Sequence, residues 1–185
     1  LSHAPERSQS ALILIDGFQP EGVTTLVQDS VFMIPHLGVL STVHPKAALE
    51  IFEKDCLIRL GTCIAPRGHV EEGEEFVRVE GTLPNGEVVE ESCFQGELKT
   101  IPLGVGGKTD LTIKPARSGD IGEGPGRMRL ASVEGGLAGV IIDARGRPLK
   151  LPEDDKERKR KLVEWYTALH MYTTDVMEYQ REGVE

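Results

Sequence analysis

The stretch 66–150 constrains the fold most, because short apolar runs alternate there with strong turn signals. Residues 83–87, Leu-Pro-Asn-Gly-Glu, carry the Asn-Gly pair typical of a tight hairpin turn. Glycines at 104–107 and 135–136 mark further turns. We expect roughly six or seven strands, including 76–81, 88–94, 97–103, 109–115, 127–133 and 137–143. Neighbouring runs joined by short turns favour a small antiparallel barrel or sandwich.

The first 65 residues show helical periodicity around one or two strands. Pro5 is placed to begin a helix over 8–18, with an apolar stripe of Ala11, Leu12, Ile15 and Phe18. We further expect a strand over 23–29, helices over 33–40 and 46–54, and a buried strand over 56–65. One strand cannot form a sheet, so 1–55 must pack on 56–65, on the C-terminal helix or on another chain. Apolar faces left in water would be costly, at about 25 cal/mol per Å².

A long helix is predicted over 154–172, after the acidic residues that suit the positive end of a helix dipole. Its apolar stripe consists of Leu162, Trp165, Tyr166 and Leu169. The pattern as a whole predicts an α+β chain with three regions, 1–65, 66–150 and 151–185.

Composition excludes several classes of function. The chain has 21 basic and 30 acidic residues and a formal net charge of −9, which argues against the basic face that nucleic acids require. No apolar run approaches the ~20 residues of a membrane span, and the N-terminus does not resemble a signal peptide. Three cysteines are an odd, low number typical of a reduced setting. We therefore expect a cytoplasmic protein.

A glycine-rich segment at 119–127 is the first candidate site. Gly122, Gly124 and Gly126 alternate with other residues ahead of Arg127, and Asp120 precedes them. Backbone N–H groups of such a segment could form an anion-binding nest. The alternative is a wide glycine loop that crosses one end of the β-structure. No helix is expected after it, which excludes a dinucleotide fingerprint.

The second candidate is the segment 143–149, with Asp143, Arg145 and Arg147. These residues could form an Asp–Arg network or a docking surface of bidentate donors; a type I turn capped by the Asp side chain is the alternative. If 127–133 and 137–143 form a hairpin, Arg127 lies beside Asp143. We therefore predict that the two segments meet through Asp–Arg contacts and form one binding surface.

Other motifs have simpler explanations. Residues 106–109, Gly-Gly-Lys-Thr, look like the end of a phosphate-binding loop, but Pro102 stands where that motif requires glycine, so a hairpin turn is expected. The basic run 156–161 is read as a solvated helix face. Histidines and cysteines lack metal-ligand spacing, and no local signature of an activated nucleophile is present.

Taken in order, several segments resemble the accessory "L" protein family of adenosylcobalamin-dependent glutamate mutase. Asp16-Gly-Phe-Gln-Pro20, with Gly22-Val-Thr after it, is similar to one stretch of that family, and Pro35-His-Leu37-Gly38 is similar to another. The most specific likeness lies in 120–127 and 142–149. Residues 1–5 and 101–103 complete a resemblance that covers nearly the whole chain.

The resemblance implies the actin, hexokinase and sugar-kinase superfamily of ATPases. Region 1–65 would then be the end of the second ATPase lobe, 66–150 a family-specific β-domain, and 151–185 a helix packed on both. Nucleotide motifs would lie upstream, so ATP and Mg²⁺ are expected only for a longer protein, with Ser2 and His3 nearest the nucleotide. The implied role is an accessory or reactivating factor whose partner is a client protein of the cobalamin-dependent mutase class. No catalytic residue is assigned here.

Two further readings stay open. One is a non-enzymatic interaction module that keeps an ATPase-like remnant for structure. The other is a small-molecule kinase of the same superfamily. Self-association into a homo-oligomer is open in each of them.

Overall fold

A computed structural model describes residues 4–29 and 31–172, which form four α-helices and eight strands. The helices are α1 (Arg7–Phe18), α2 (Ile34–Ser41), α3 (Pro45–Ile51) and α4 (Asp155–Ala168), and a π-helical turn, Phe52–Cys56, follows α3. The strands are β1 (Gly22–Asp29), β2 (Leu57–Ala65), β3 (Glu75–Thr82), β4 (Val88–Phe94), β5 (Leu98–Ile101), β6 (Lys108–Pro115), β7 (Arg129–Glu134) and β8 (Val140–Asp143). This confirms the α+β class.

The first sheet has the order β1-β2-β8-β5. Strand β2 lies antiparallel to β1 and parallel to β8, while β5 lies antiparallel to β8. The sheet therefore takes β1 and β2 from the predicted region 1–65 and β5 and β8 from the predicted region 66–150. Segment 1–55 is not self-contained, as predicted, because β1 pairs along its whole length with β2.

The second sheet is fully antiparallel, with the order β4-β3-β6-β7. Its β3–β4 hairpin was predicted from the Asn-Gly turn and is confirmed. The Leu83 N–H donates to the Glu87 carbonyl at 2.8 Å and closes that turn. The prediction was a barrel or a sandwich. No barrel closes among the described strands, and two sheets with free edges instead share one core.

Two predicted hairpins are wrong. Strands β5 and β6 belong to different sheets, and so do β7 and β8. Alternating apolar residues specify which face of a strand is buried, but they do not specify its neighbour. Gly135 and Gly136 lie between β7 and β8, and a Cβ atom at either position would overlap backbone atoms of Leu103 or Leu60. Their lack of side chains lets the chain cross from one sheet to the other.

Side chains of β8 show how the layers are arranged. Val140 and Ile142 belong to the core between the two sheets, while Ile141 faces a second core against the helices. That second core contains Ile15 of α1 and Trp165 of α4. The first sheet therefore lies between the helices and the second sheet. Successive side chains of β8 point alternately into the two cores, as expected for a strand.

The helix predictions need two corrections. Phe18 does not join the apolar stripe of α1, since its side chain is 81% exposed. Helix α4 ends at Ala168 rather than near residue 172, although Trp165 and Leu169 are buried as predicted. Within the described part of the chain, no helix combines the length and the apolar character that crossing a bilayer requires.

Candidate functional site

The two candidate loops lie on either side of residues 67–68. Arg67 pairs with Asp120 through N–H···O bonds of 2.8 and 3.1 Å, and the Arg147 N–H donates to the Gly68 carbonyl at 3.1 Å. The expected proximity of the loops is therefore present, but the predicted Asp–Arg contacts between them are wrong. The two carboxylates bind groups of their own loops instead, and the hairpin that was to carry Arg127 to Asp143 does not form.

In the glycine loop, the protein's own carboxylate occupies the backbone nest. Asp120 Oδ1 accepts the N–H groups of Gly122 at 2.7 Å and Gly124 at 2.9 Å. These two bonds hold the pKa of Asp120 below its ordinary value. The N–H of Gly126 donates to the Gly119 carbonyl at 2.8 Å. The loop is thus a self-satisfied turn with an exposed Arg127, and its N–H groups are not open to an external anion.

Asp143 is fully buried at the end of β8 and binds two arginines. Its Oδ1 accepts from the backbone N–H and from Nε of Arg145, both at 3.0 Å. Its Oδ2 accepts from Nη2 of Arg145 at 2.9 Å and from Nη2 of Arg147 at 2.7 Å. Burial alone would raise the pKa of Asp143, but the two guanidinium groups outweigh it and lower that pKa. The pKa of Arg145 is raised, since Asp143 and Asp16 outweigh its own burial.

This Asp–Arg network joins the end of β8 to helix α1 and to the connection between α1 and β1. Arg145 Nη2 donates to Asp16 Oδ1 at 2.6 Å, and Arg147 Nε donates to the Pro20 carbonyl at 3.0 Å. The arginine residues are only 3% and 4% exposed. The prediction that Asp143, Arg145 and Arg147 form a docking surface is therefore wrong. The two arginines follow β8, whose residues are all buried, and their side chains bind the buried carboxylate of Asp143.

A cavity of about 630 Å³ lies at the N-terminal end of α1. Most of its lining is apolar, and the polar side chains come from Glu6, Arg7, Ser8, Thr100 and His170. Arg7 Nη1 is buried and has no hydrogen-bond partner among the described residues. The α1 N-cap residue, Glu6, makes no side-chain capping bond. Ser2 and His3, the residues predicted nearest to nucleotide, lie outside the described residues.

Helices α2 and α3 carry an exposed apolar surface that the sequence analysis did not single out. We call it the helical patch, and define it as Phe32, Ile34, Val39, Val43 and Leu49, each between 54% and 72% exposed. A cavity of about 260 Å³ lies between the two helices. Asp29 fixes the entry to α2, where its two oxygens accept the N–H groups of Val31 and Ile34, both at 3.1 Å. A run of apolar residues over 31–40 was the signal for this patch.

The remaining motifs have structural roles. Residues 104–107 form a turn, closed by the Gly107 N–H to the Gly104 carbonyl at 3.0 Å, but it links the two sheets rather than a hairpin. The basic run on α4 forms ion pairs along the helix, among them Arg158 with Asp155 and Arg160 with Glu164. Lys156, Lys159 and Arg160 are exposed as predicted, whereas Lys161 departs from the predicted solvated face with a side-chain exposure of 17%. Among residues 4–29 and 31–172, no cluster of three His, Cys, Asp or Glu could hold a metal ion.

No family model matches the chain, and no curated protein or solved structure matches it significantly. The likeness to the glutamate mutase accessory family therefore stays a prediction from the residues that carry it. The assignment of region 1–65 to an ATPase-like lobe stays a prediction on the same basis.

Proposed function

We propose that this chain is the C-terminal part of a cytoplasmic, ATP-dependent accessory protein that acts on a cobalamin-dependent mutase. The observation that carries the proposal is the 630 Å³ cavity at the N-terminal end of α1. Its volume falls within the roughly 300–1,000 Å³ of small-molecule sites, and such sites are mostly apolar with a few polar groups. The resemblance independently expects nucleotide just upstream of α1.

The cavity suits the adenosine end of a nucleotide better than its phosphates. Ile101, Leu103, Leu137 and Leu169 supply apolar walls for a planar base. The N-terminus of α1 and the buried, unpartnered Arg7 Nη1 supply a positive potential and a donor, opposed by the one carboxylate of the lining, that of Glu6. When bound, ATP supplies a phosphoryl group and the free energy of its transfer. Residues of this chain would bind and orient the nucleoside; upstream residues would hold Mg²⁺.

Calorimetry with Mg-ATP on the protein extended upstream of Leu1 tests this proposal. We expect binding to the longer protein and none to residues 1–185 alone. Leu137→Glu should weaken that binding, because it places a carboxylate in the lining of the cavity. Leu130→Glu is the matched control, since Leu130 is 72% exposed on β7, outside the lining. The proposal fails if the longer protein releases no heat with Mg-ATP, or if both variants bind equally well.

The interaction module is the second candidate, and the helical patch is the observation that favours it. Large exposed apolar side chains that cluster on one part of a fold commonly mark a protein–protein contact, and Ile34 and Leu49 of the patch line the same cavity. We assign the patch to the client protein, for which the resemblance expects a cobalamin-dependent mutase. Nothing in this second function requires nucleotide.

Capture of a purified adenosylcobalamin-dependent mutase on the immobilised chain tests the second candidate. Val39→Lys should reduce capture because it places an ammonium in the patch. Val105→Lys, at a valine of the 104–107 turn that is 63% exposed against 72% for Val39, should not reduce it. Equal capture by both variants contradicts the assignment. So does a dimer in sedimentation that Val39→Lys abolishes, since a second copy of the chain would then cover the patch.

A further inference from the structure

A third cavity, of about 270 Å³, lies under α4 against the end of the Asp–Arg network. Its lining includes His69, Glu72, Gln95, Arg145, Lys161 and Trp165. Trp165 fixes one wall, because its Nε1–H donates to the Gly96 carbonyl at 2.8 Å. Gln95 fixes another, since it donates to the Arg145 carbonyl at 3.2 Å and accepts the Val70 N–H at 3.1 Å.

Two residues of this lining carry buried polar atoms that are left unpartnered within the described chain. Arg145 uses Nε and Nη2 on Asp143 and Asp16, while its Nη1 has no hydrogen-bond partner. His69 Nε2 has none either. The Arg145 guanidinium is fixed over the Trp165 ring at 4.8 Å, and its side chain is 1% exposed. Unpartnered buried groups of this kind are costly, and each is normally satisfied by a neighbouring atom.

Charge is distributed unevenly across the cavity. The cations sit deep: Lys161 has a side-chain exposure of only 17%, and Arg145 is almost fully buried. Two carboxylates, those of Glu72 and Glu157, lie nearer the surface with side-chain exposures of 78% and 48%, and Lys150 adds a third cation to the lining. The nearer approach to Lys161 is that of Glu72. Its oxygen is 3.8 Å from Lys161 Nζ, and the Glu164 oxygen is 3.9 Å away. Both are too long for hydrogen bonds, so the ammonium can take a better acceptor.

We propose that this cavity binds a small oxyanion, a carboxylate or a phosphate group of a metabolite. Its oxygens would accept from Lys161 Nζ and from the unpartnered nitrogens of Arg145 and His69. A volume of about 270 Å³ admits a phosphate or a short dicarboxylate. The site is separate from the cavity at α1, so it does not depend on nucleotide binding.

Trp165 is the only tryptophan of the chain and lines the cavity, so its fluorescence reports on the site directly. The chain would be titrated at pH 7 and constant ionic strength with inorganic phosphate and with succinate, and chloride serves as the reference. We expect a saturable change in emission with at least one of the two. Saturation by phosphate alone identifies a phosphorylated ligand, by succinate alone a carboxylate ligand, and by both a general oxyanion site.

Variants of α4 supply the control. Lys161→Gln should weaken binding by roughly tenfold, because it removes a charged donor, while Lys161→Arg retains it. Lys159→Gln makes the same change at an exposed position of the same helix, outside the lining, and should bind like the unmodified chain. The proposal is overturned if neither anion saturates, or if the Lys159→Gln and Lys161→Gln variants lose affinity equally.

Discussion

Asp143→Asn should unfold this protein at a much lower temperature, because the substitution removes the charge that two buried arginines share. The carboxylate accepts four hydrogen bonds, three from Arg145 and one from Arg147. The asparagine side chain has the same shape but only one oxygen acceptor. Its NH₂ group would face the guanidinium N–H groups, and two donors cannot form a hydrogen bond with each other. Arg147 would retain only carbonyl oxygens, those of Pro20 and Gly146.

The magnitude follows from burial. Asp143 is 0% exposed, and the side chains of Arg145 and Arg147 are 1% and 2% exposed, so water cannot replace the lost partner. Removing one member of a buried ion pair costs about 3–5 kcal/mol. For a chain of 150–250 residues each kcal/mol shifts the melting temperature by about 2–4 °C. We therefore expect a decrease of roughly 6–20 °C.

Urea unfolding followed by circular dichroism, together with a thermal melt, measures this effect. Asp110→Asn makes the same chemical change at an exposed position of β6 and should stay within about 0.5 kcal/mol of the unmodified protein. Asp16→Asn removes the 42%-exposed partner of Arg145 and should cost about 1 kcal/mol. If the free energies of unfolding of Asp143→Asn and Asp110→Asn differ by less than about 1 kcal/mol, the network does not stabilise the fold, and the reasoning is refuted.

Three further results are expected. Gly61→Ala should prevent folding at 37 °C, because its Cβ would overlap the Gly139 carbonyl oxygen. Gly38→Ala is the control: it has open space around it in α2 and should leave the melting temperature unchanged or raised. Equal melting temperatures for the two variants would contradict this. The lowered pKa of Asp120 means that its loop bonds persist above about pH 4 and are lost as pH falls through that pKa. An NMR titration of the loop amides with its midpoint at or above the ordinary carboxyl pKa, about 4, would contradict this. Burial raises the pKa of the Cys93 thiol, so a thiol reagent at pH 8 should label Cys93 only after unfolding; labelling in the native state would disprove it.

The local sequence determined where helices and strands form. Apolar residues at helical spacing predicted α1 and α4, and the Asn-Gly turn predicted the β3–β4 hairpin with the correct partner. These features depend on contacts between residues close in the chain, and the spacing of side chains records such contacts directly.

Only the tertiary structure decided how the strands divide between the two sheets. β7 and β8 are neighbours in sequence, yet β8 pairs with β2 and β5. Period-two alternation looks the same for any partner strand, so it could not distinguish a hairpin from a crossover. The crossover depends on close backbone contacts at Gly135 and Gly136, which no local pattern reveals.

The candidate site shows the same division. The sequence drew attention to Asp143, Arg145 and Arg147 and left open whether they form a network, a docking surface or a turn. The structure shows the network, because Arg145 binds Asp16, a residue 129 positions away, and Arg147 binds the Pro20 carbonyl in the α1–β1 connection. Both arginines are buried. Burial depends on which other parts of the chain pack over a residue, so only the folded structure could show that these residues are buried rather than exposed.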